Sequence, residues 1–233
     1  DDGLAIGSAI LTAIDLGEDV SWLNDFVMPY FGDSYTRKEV KKALDSFDNI
    51  TYEDINDDWP QEAAIAVSKG KICSIFQGKM EFGPRALGNR SILTAPFPED
   101  MRDILNSRVK FREEFRPFAP SILHEFTQDY FEIKQDSPHM LITSKVKSEK
   151  IDNIPAVVHV DNSARVQTVK SENNFKFRKL LEAFHKETNC PVLLNTSFNV
   201  KGQPIVNSPK DAIECFLGTN IDVLVIGNYY VEK

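Results

Sequence analysis

Four short segments of this chain carry side chains able to handle phosphate and other anions. The first runs Gln77-Gly78-Lys79-Met80-Glu81-Phe82-Gly83-Pro84-Arg85-Ala86-Leu87-Gly88-Asn89-Arg90-Ser91, with three glycines, a proline and three basic residues directly after an apolar run. Glycine lets a backbone approach a ligand closely, and Arg offers a fork of donors that matches phosphate. The same residues also describe a tight turn with solvated cations, and the spacing is neither a Walker loop nor a dinucleotide fingerprint. The second segment, Arg108 to Pro120, interleaves four cations with three aromatics. In an extended strand Arg108, Lys110 and Arg112 share one face, and Arg116 continues it. Such a face suits phosphate, a stacked base or plain solvent; Glu113 and Glu114 interrupt it.

The third segment, Asp161-Asn162-Ser163-Ala164-Arg165-Val166-Gln167, places one Arg where a turn enters a strand. The fourth, Asn195-Thr196-Ser197-Phe198-Asn199, sets short polar side chains just beyond an apolar run, where they either orient a ligand or close a turn. The histidines (His124, His139, His159, His185) lack metal-ligand spacing, and no nucleophile signature is present. Anion handling by Arg and Lys is the chemistry that remains.

The elements that must position these groups are mixed. Residues 4–16 read as a tightly packed helix with small residues. Thr36 and Glu39 form a capping box ahead of Val40, Ala43, Leu44 and Phe47 at helical spacing. The acidic stretch 48–60 reads as a linker and domain boundary, and Pro60 opens a helix ending near Gly70. Strands are expected at 72–76, 155–160, 164–169 and 192–194, with 222–226 as the last. Helices are expected over 99–108, around Phe177 to Phe184, and from a Ser208 cap through Leu217. Strands and helices without a strict alternation point to a mixed sheet with helices packed on it.

The chain has 233 residues, 42% of them hydrophobic and 27% charged, which suits one large folded domain or one domain and part of another. No apolar run reaches membrane-spanning length. The opening Asp1-Asp2-Gly3 has no initiator methionine and reads as the interior of a longer protein. Cys73, Cys190 and Cys215 read as buried reduced thiols, which suits the cytoplasm. A net charge of −8 speaks against broad nucleic-acid binding.

Together the segments resemble the O-carbamoyltransferases of antibiotic and nodulation-factor biosynthesis, the group of the tobramycin and cephamycin enzymes. The Gln77–Ser91 signature carries the resemblance, with Phe115–Pro120, His159–Asp161, Ala164–Gln167, Leu194–Asn199 and Leu224–Gly227 following in order. Asn162-Ser163 departs from the more usual Gly-Thr. The resemblance implies a YrdC-like domain over 59–233 that makes carbamoyl-adenylate from carbamoyl phosphate and ATP with Mg²⁺. It also implies that 1–58 is the tail of an actin-like domain that passes the carbamoyl group to a small-molecule hydroxyl. It assigns catalytic roles to Lys110, Arg116, Arg165 and Ser197, and ATP or substrate binding to Arg85, Arg90, Asn195 and Asn199. Asp1 matches a metal-ligand position, a divalent or ferric ion belonging to the upstream domain. An exposed piece of such a domain makes a homodimer conceivable. Three other readings stay open: a threonylcarbamoyl-adenylate synthase, a non-enzymatic RNA-binding module using 108–118, and a fragment inert without its partner domain.

Overall fold

The computed structural model describes residues 3–25, 28–111, 113 and 116–233. The helices are α1 (Leu4–Asp15), α2 (Arg37–Leu44), α3 (Trp59–Ser68), α4 (Met101–Leu105), α5 (Thr127–Tyr130), α6 (Phe175–Thr188) and α7 (Pro209–Leu217). The strands are β1 (Thr51–Asp54), β2 (Cys73–Phe76), β3 (Arg90–Thr94), β4 (Ala119–Leu123), β5 (Ile142–Lys145), β6 (Ser163–Val169), β7 (Val192–Ser197), β8 (Val223–Ile226) and β9 (Tyr229–Glu232). They form one sheet in the order β1-β9-β8-β2-β3-β7-β4-β6-β5. The pairs β2/β8 and β4/β6 are parallel and the rest antiparallel, so the expected mixed sheet is what forms.

Local chemistry sets the helix starts. Thr36 and Glu39 make a reciprocal capping box at α2, and Ser208 with Asp211 does the same at α7. Pro60 sits in the first turn of α3, where a missing N–H costs nothing. Ala63, Ala64 and Val67 of α3 are buried, as are Phe177, Leu180, Leu181 and Phe184 of α6, and the two helices pack together. The three cysteines are free and buried. Burial pushes Cys73 up to about 12 and Cys190 and Cys215 up to about 11, which makes all three poor nucleophiles. No helix among the described residues is long and apolar enough to cross a membrane.

Four expectations change. Helix α1 forms but has no fully buried residue: Leu4 is 76% and Leu11 64% exposed. The acidic stretch read as a linker contains β1, which pairs with β9 from Thr51↔Glu232 to Asp54↔Tyr229. β9 itself extends the chain past β8, expected as the last strand, after a turn at Gly227 with φ 56°. Residues 155–160 are not a strand; Pro155–Val157 is a 3-10 turn, and the hairpin partner of β6 is β5. Pro155 has no N–H for a ladder, whereas the alternating exposure of β5 suits a sheet edge.

Candidate functional site

Pairing register, more than sequence distance, assembles the site. Ser91 lies opposite Ser197 and Leu93 opposite Asn195 across β3/β7; Ala119 lies opposite Asn195 across β4/β7. Ser121 lies beside Gln167 across β4/β6. Side chains alternate along a strand, so Ser197, Asn195, Ser121, Gln167 and Arg165 emerge on one face of the sheet. Asn195 Nδ2 donates to Ser121 Oγ and Gln167 Oε1, both at 3.0 Å, and to the Ala86 carbonyl at 3.3 Å. Ser121 Oγ donates to Gln167 Oε1 at 2.6 Å, and Gln167 Nε2 to the Leu87 carbonyl at 3.1 Å. This buried lattice ties the sheet to the Ala86-Leu87 stretch of the glycine-rich loop.

The loop is organised from inside by Glu81, which is 3% exposed. Its Oε1 accepts the backbone N–H groups of Leu87 and Asn89 at 2.8 Å and of Arg90 at 3.2 Å. Asn174, the cap of α6, donates to Asn89 Oδ1 at 2.8 Å, fixing the loop to that helix. Gly88 has φ 110°, and a Cβ there would lie 2.5 Å from the Phe177 ring, so only glycine fits.

The loop presents Arg85. Its charge is the second cause, after burial, that pulls Arg165 down to about 10. Two guanidinium groups therefore sit within electrostatic reach, and among the described residues neither makes an ion pair. The Nε atoms of both are buried without a partner. Like charges held together in this way are arranged for an anion. Arg85 also lines a mostly apolar cavity of 330 Å³ with Phe82, Pro84, His139 and Leu141.

Lys110 arrives by a different device. A helix is expected over 99–108, but α4 stops at Leu105 and continues as a π-helical turn over Asn106–Lys110, closed by a Phe111 N–H bond to the Asn106 carbonyl at 2.7 Å. Phe111 ends it at φ 46°. The extended face with Arg108, Lys110 and Arg112 in line does not form over 106–110, because the wider turn aims its side chains apart. Arg108 pairs with Asp222 at 2.6 Å. Lys110, 4% exposed, donates to the carbonyls of Ser197 and Asn199 and to Asn199 Oδ1, each at 2.8 Å. Ser197 Oγ donates to Asn199 Oδ1 at 2.7 Å. Lys110, Ser197 and Asn199 thus form one cluster, with Asn195 on the strand leading into it.

Two of the expected residues stand apart. Arg90 is 0% exposed, stacks 3.6 Å over the Phe76 ring and donates to the carbonyls of Gln77, Gly78, Asn89 and Asp33. Burial pulls it down to about 10, with Glu81 opposing. It braces the loop from within instead of facing a ligand. Arg116 is exposed, with Glu113 3.9 Å from its guanidinium; Glu113 in turn meets Lys201 at 3.0 Å, beside the Asn199 loop. Asp1, Arg112 and Phe115 lie outside the described residues.

Glu81 and Gln167 were not singled out from sequence. For Gln167 the signal was available: it follows Arg165 at the two-residue period of a strand. For Glu81 it was not, since its partners are backbone amides. Two further cavities flank the site. One of 270 Å³ is lined by Arg102, Pro117, Phe118, His159 and Asp161. Another of 440 Å³, between residues 200–207 and α7, carries Asp211 and Glu214 and no Lys or Arg among the described residues, so it does not suit an anion.

Residues 64–233 match the family model described as Carbamoyltransferase C-terminus. An uncharacterized protein of Methanocaldococcus jannaschii is 47% identical over 236 residues, covering 100% of this chain and 39% of the relative. Nodulation protein NolO of Bradyrhizobium diazoefficiens is 39% identical over 244 residues, covering 100% of this chain and 43% of the relative. The chain therefore spans less than half the length of these curated relatives. Among solved structures, T. kodakarensis HypF superposes with a TM-score of 0.52 at 18% identity, over 76% of this chain and 25% of that one. Full-length HypF in its phosphate- and nucleotide-bound form gives 0.50 at 18% identity, over 76% of this chain and 24% of that one. That identity speaks for the fold, and the fold is the YrdC-like mixed sheet expected from sequence.

Proposed function

Because the chain belongs to the carbamoyltransferase family and carries its carboxyl-terminal domain, we propose that it makes carbamoyl-adenylate from carbamoyl phosphate and ATP, for transfer to an acceptor hydroxyl by the rest of a longer protein. The observation that carries this reading is the pair Arg85 and Arg165, two guanidinium groups in mutual reach with no carboxylate paired to either among the described residues. Support comes from the solved HypF with phosphate and nucleotide bound, which shares the fold.

In this reading Arg85 and Arg165 hold the phosphate oxygens of carbamoyl phosphate. Water cleaves it to carbamate and inorganic phosphate inside the site. A carbamate oxygen then bonds to the α-phosphorus of ATP while the bond to the bridging oxygen of the β-phosphate breaks, and pyrophosphate leaves with that electron pair. Charge gathers on phosphoryl oxygens throughout, so catalysis is mostly positioning by fixed cations and dipoles. Lys110 fixes the Ser197–Asn199 loop that orients the carbamoyl oxygens, and Arg116, on an exposed loop, meets the triphosphate. Asn195 sets the position of Ser197 through its lattice of bonds. Mg²⁺ would supply charge neutralisation on ATP. The ion would be held mainly by the phosphates of the nucleotide.

The test is ATP–pyrophosphate exchange by this chain, with and without carbamoyl phosphate. Exchange that requires carbamoyl phosphate is expected. Exchange that instead requires threonine and bicarbonate, or no ATP binding at all, would overturn the reading.

A further inference from the structure

Three polar atoms around Arg165 are shut off from solvent and have no hydrogen-bond partner: Nε of Arg85, Nε of Arg165 and Nε2 of His159. The two arginine atoms can only donate. The role of the third follows from its neighbours. Ser163 Oγ gives its single proton to Asp161 Oδ1 at 2.6 Å and lies 3.2 Å from His159 Nδ1. With that proton committed, Ser163 Oγ can only accept from the ring, so Nδ1 carries the imidazole hydrogen. Burial, with the Arg165 charge adding to it against Asp161, holds His159 below its ordinary value and so favours the neutral ring. Nε2 is then a bare acceptor.

The neighbourhood of Arg165 therefore offers two donors and one acceptor. A carboxylate or a phosphate-ester dianion uses donors only. A carbamoyl group, O=C–NH2, needs both kinds. His159 also lines the 270 Å³ cavity, together with Arg102, Pro117 and Phe118.

We infer that His159 is a specificity-determining residue, whose Nε2 accepts a hydrogen bond from the amino group of a carbamoyl phosphate held by Arg85 and Arg165. The inference rests on the function proposed above. An acyl phosphate with a methyl group in place of the amino group would leave this acceptor buried and unpaired, the case in which a site rejects an isostere most strongly.

The experiment is calorimetric titration of the 233-residue chain with phosphonoacetamide and with acetonylphosphonate. These two probes resist hydrolysis and differ only in an amino against a methyl group. The native chain should bind the amide at least about tenfold more tightly. His159→Asn keeps a donor for Ser163 but has nothing at the Nε2 position, and should bring the two within about threefold. His159→Gln, whose carbonyl reaches further, should restore most of the preference. Equal and measurable binding of both probes by the native chain overturns the role of His159 and leaves the anion site standing. An undiminished preference in His159→Asn overturns it equally. Failure of both probes to bind the native chain would sink this inference together with the carbamoyl phosphate site itself.

Discussion

Replacing Glu81 tests whether the glycine-rich loop is held by one carboxylate. Its Oε1 is the acceptor for the amides of Leu87, Asn89 and Arg90, at a position 3% exposed. Glu81→Leu keeps the bulk and removes that acceptor. A buried amide left unpaired costs about 1–3 kcal/mol; taking the two short bonds near the middle of that range and the long one at its foot, the loss is about 5 kcal/mol. Oε2 is itself buried without a partner, and removing it returns about 1–2 kcal/mol. A net loss of about 3–4 kcal/mol lowers the melting temperature by about 6–16 °C in a chain of this size. Glu81→Gln keeps a carbonyl oxygen for the three amides and loses mainly the charge assistance, about 1 kcal/mol. The assay is thermal unfolding followed by circular dichroism, with and without inorganic phosphate. Arg85 lies in the chain between Glu81 and the amides it holds, so phosphate should protect the native chain and Glu81→Gln but not Glu81→Leu. A Glu81→Leu melting point within about 2 °C of native, or a Gln variant as damaged as the Leu variant, would refute the reasoning.

Two other outcomes follow from the same geometry. Gly88→Ala would force a Cβ to 2.5 Å from the Phe177 ring at φ 110°, and should cost at least about 3 kcal/mol in denaturant unfolding; an unchanged midpoint would show that the loop and α6 do not meet as described. His159 is held below its ordinary value in the fold and returns to about 6.5 when unfolded, so the unfolded chain binds the proton more readily. Its contribution is therefore present above that value and lost as pH falls below it, and unfolding free energy should decline from pH 7 to 5 more steeply in the native chain than in His159→Gln. Parallel curves would contradict the assigned ring state.

Much of the fold was legible because local chemistry specified it. Thr36 with Glu39 and Ser208 with Asp211 announced two helices through caps whose partners lie within three residues, and Pro60 in a first turn announced a third. The site was legible as a set of residues and much less so as an arrangement. Lys110, Ser197 and Asn199 lie in one hydrogen-bonded cluster, yet the π-helical turn that delivers Lys110 has no spacing signature. Arg85 and Arg90 look alike in sequence. Register and burial separate them, setting Arg85 near Arg165 and turning Arg90 inward over Phe76. β5 and β9 were missed because strands of four residues carry little pattern of their own, and β1 was hidden because acidic residues on an exposed edge strand look like a linker.

The family match begins at residue 64, but the sheet does not. β1, which covers β9 along Thr51–Asp54, lies before that point. A piece cut at the family boundary would keep β9 and lose its neighbour, leaving the backbone of Tyr229–Glu232 as an open edge ready to pair with another chain. The relatives match the whole chain, not the family segment alone, and a shortened version that keeps β9 covered has to begin upstream of Thr51.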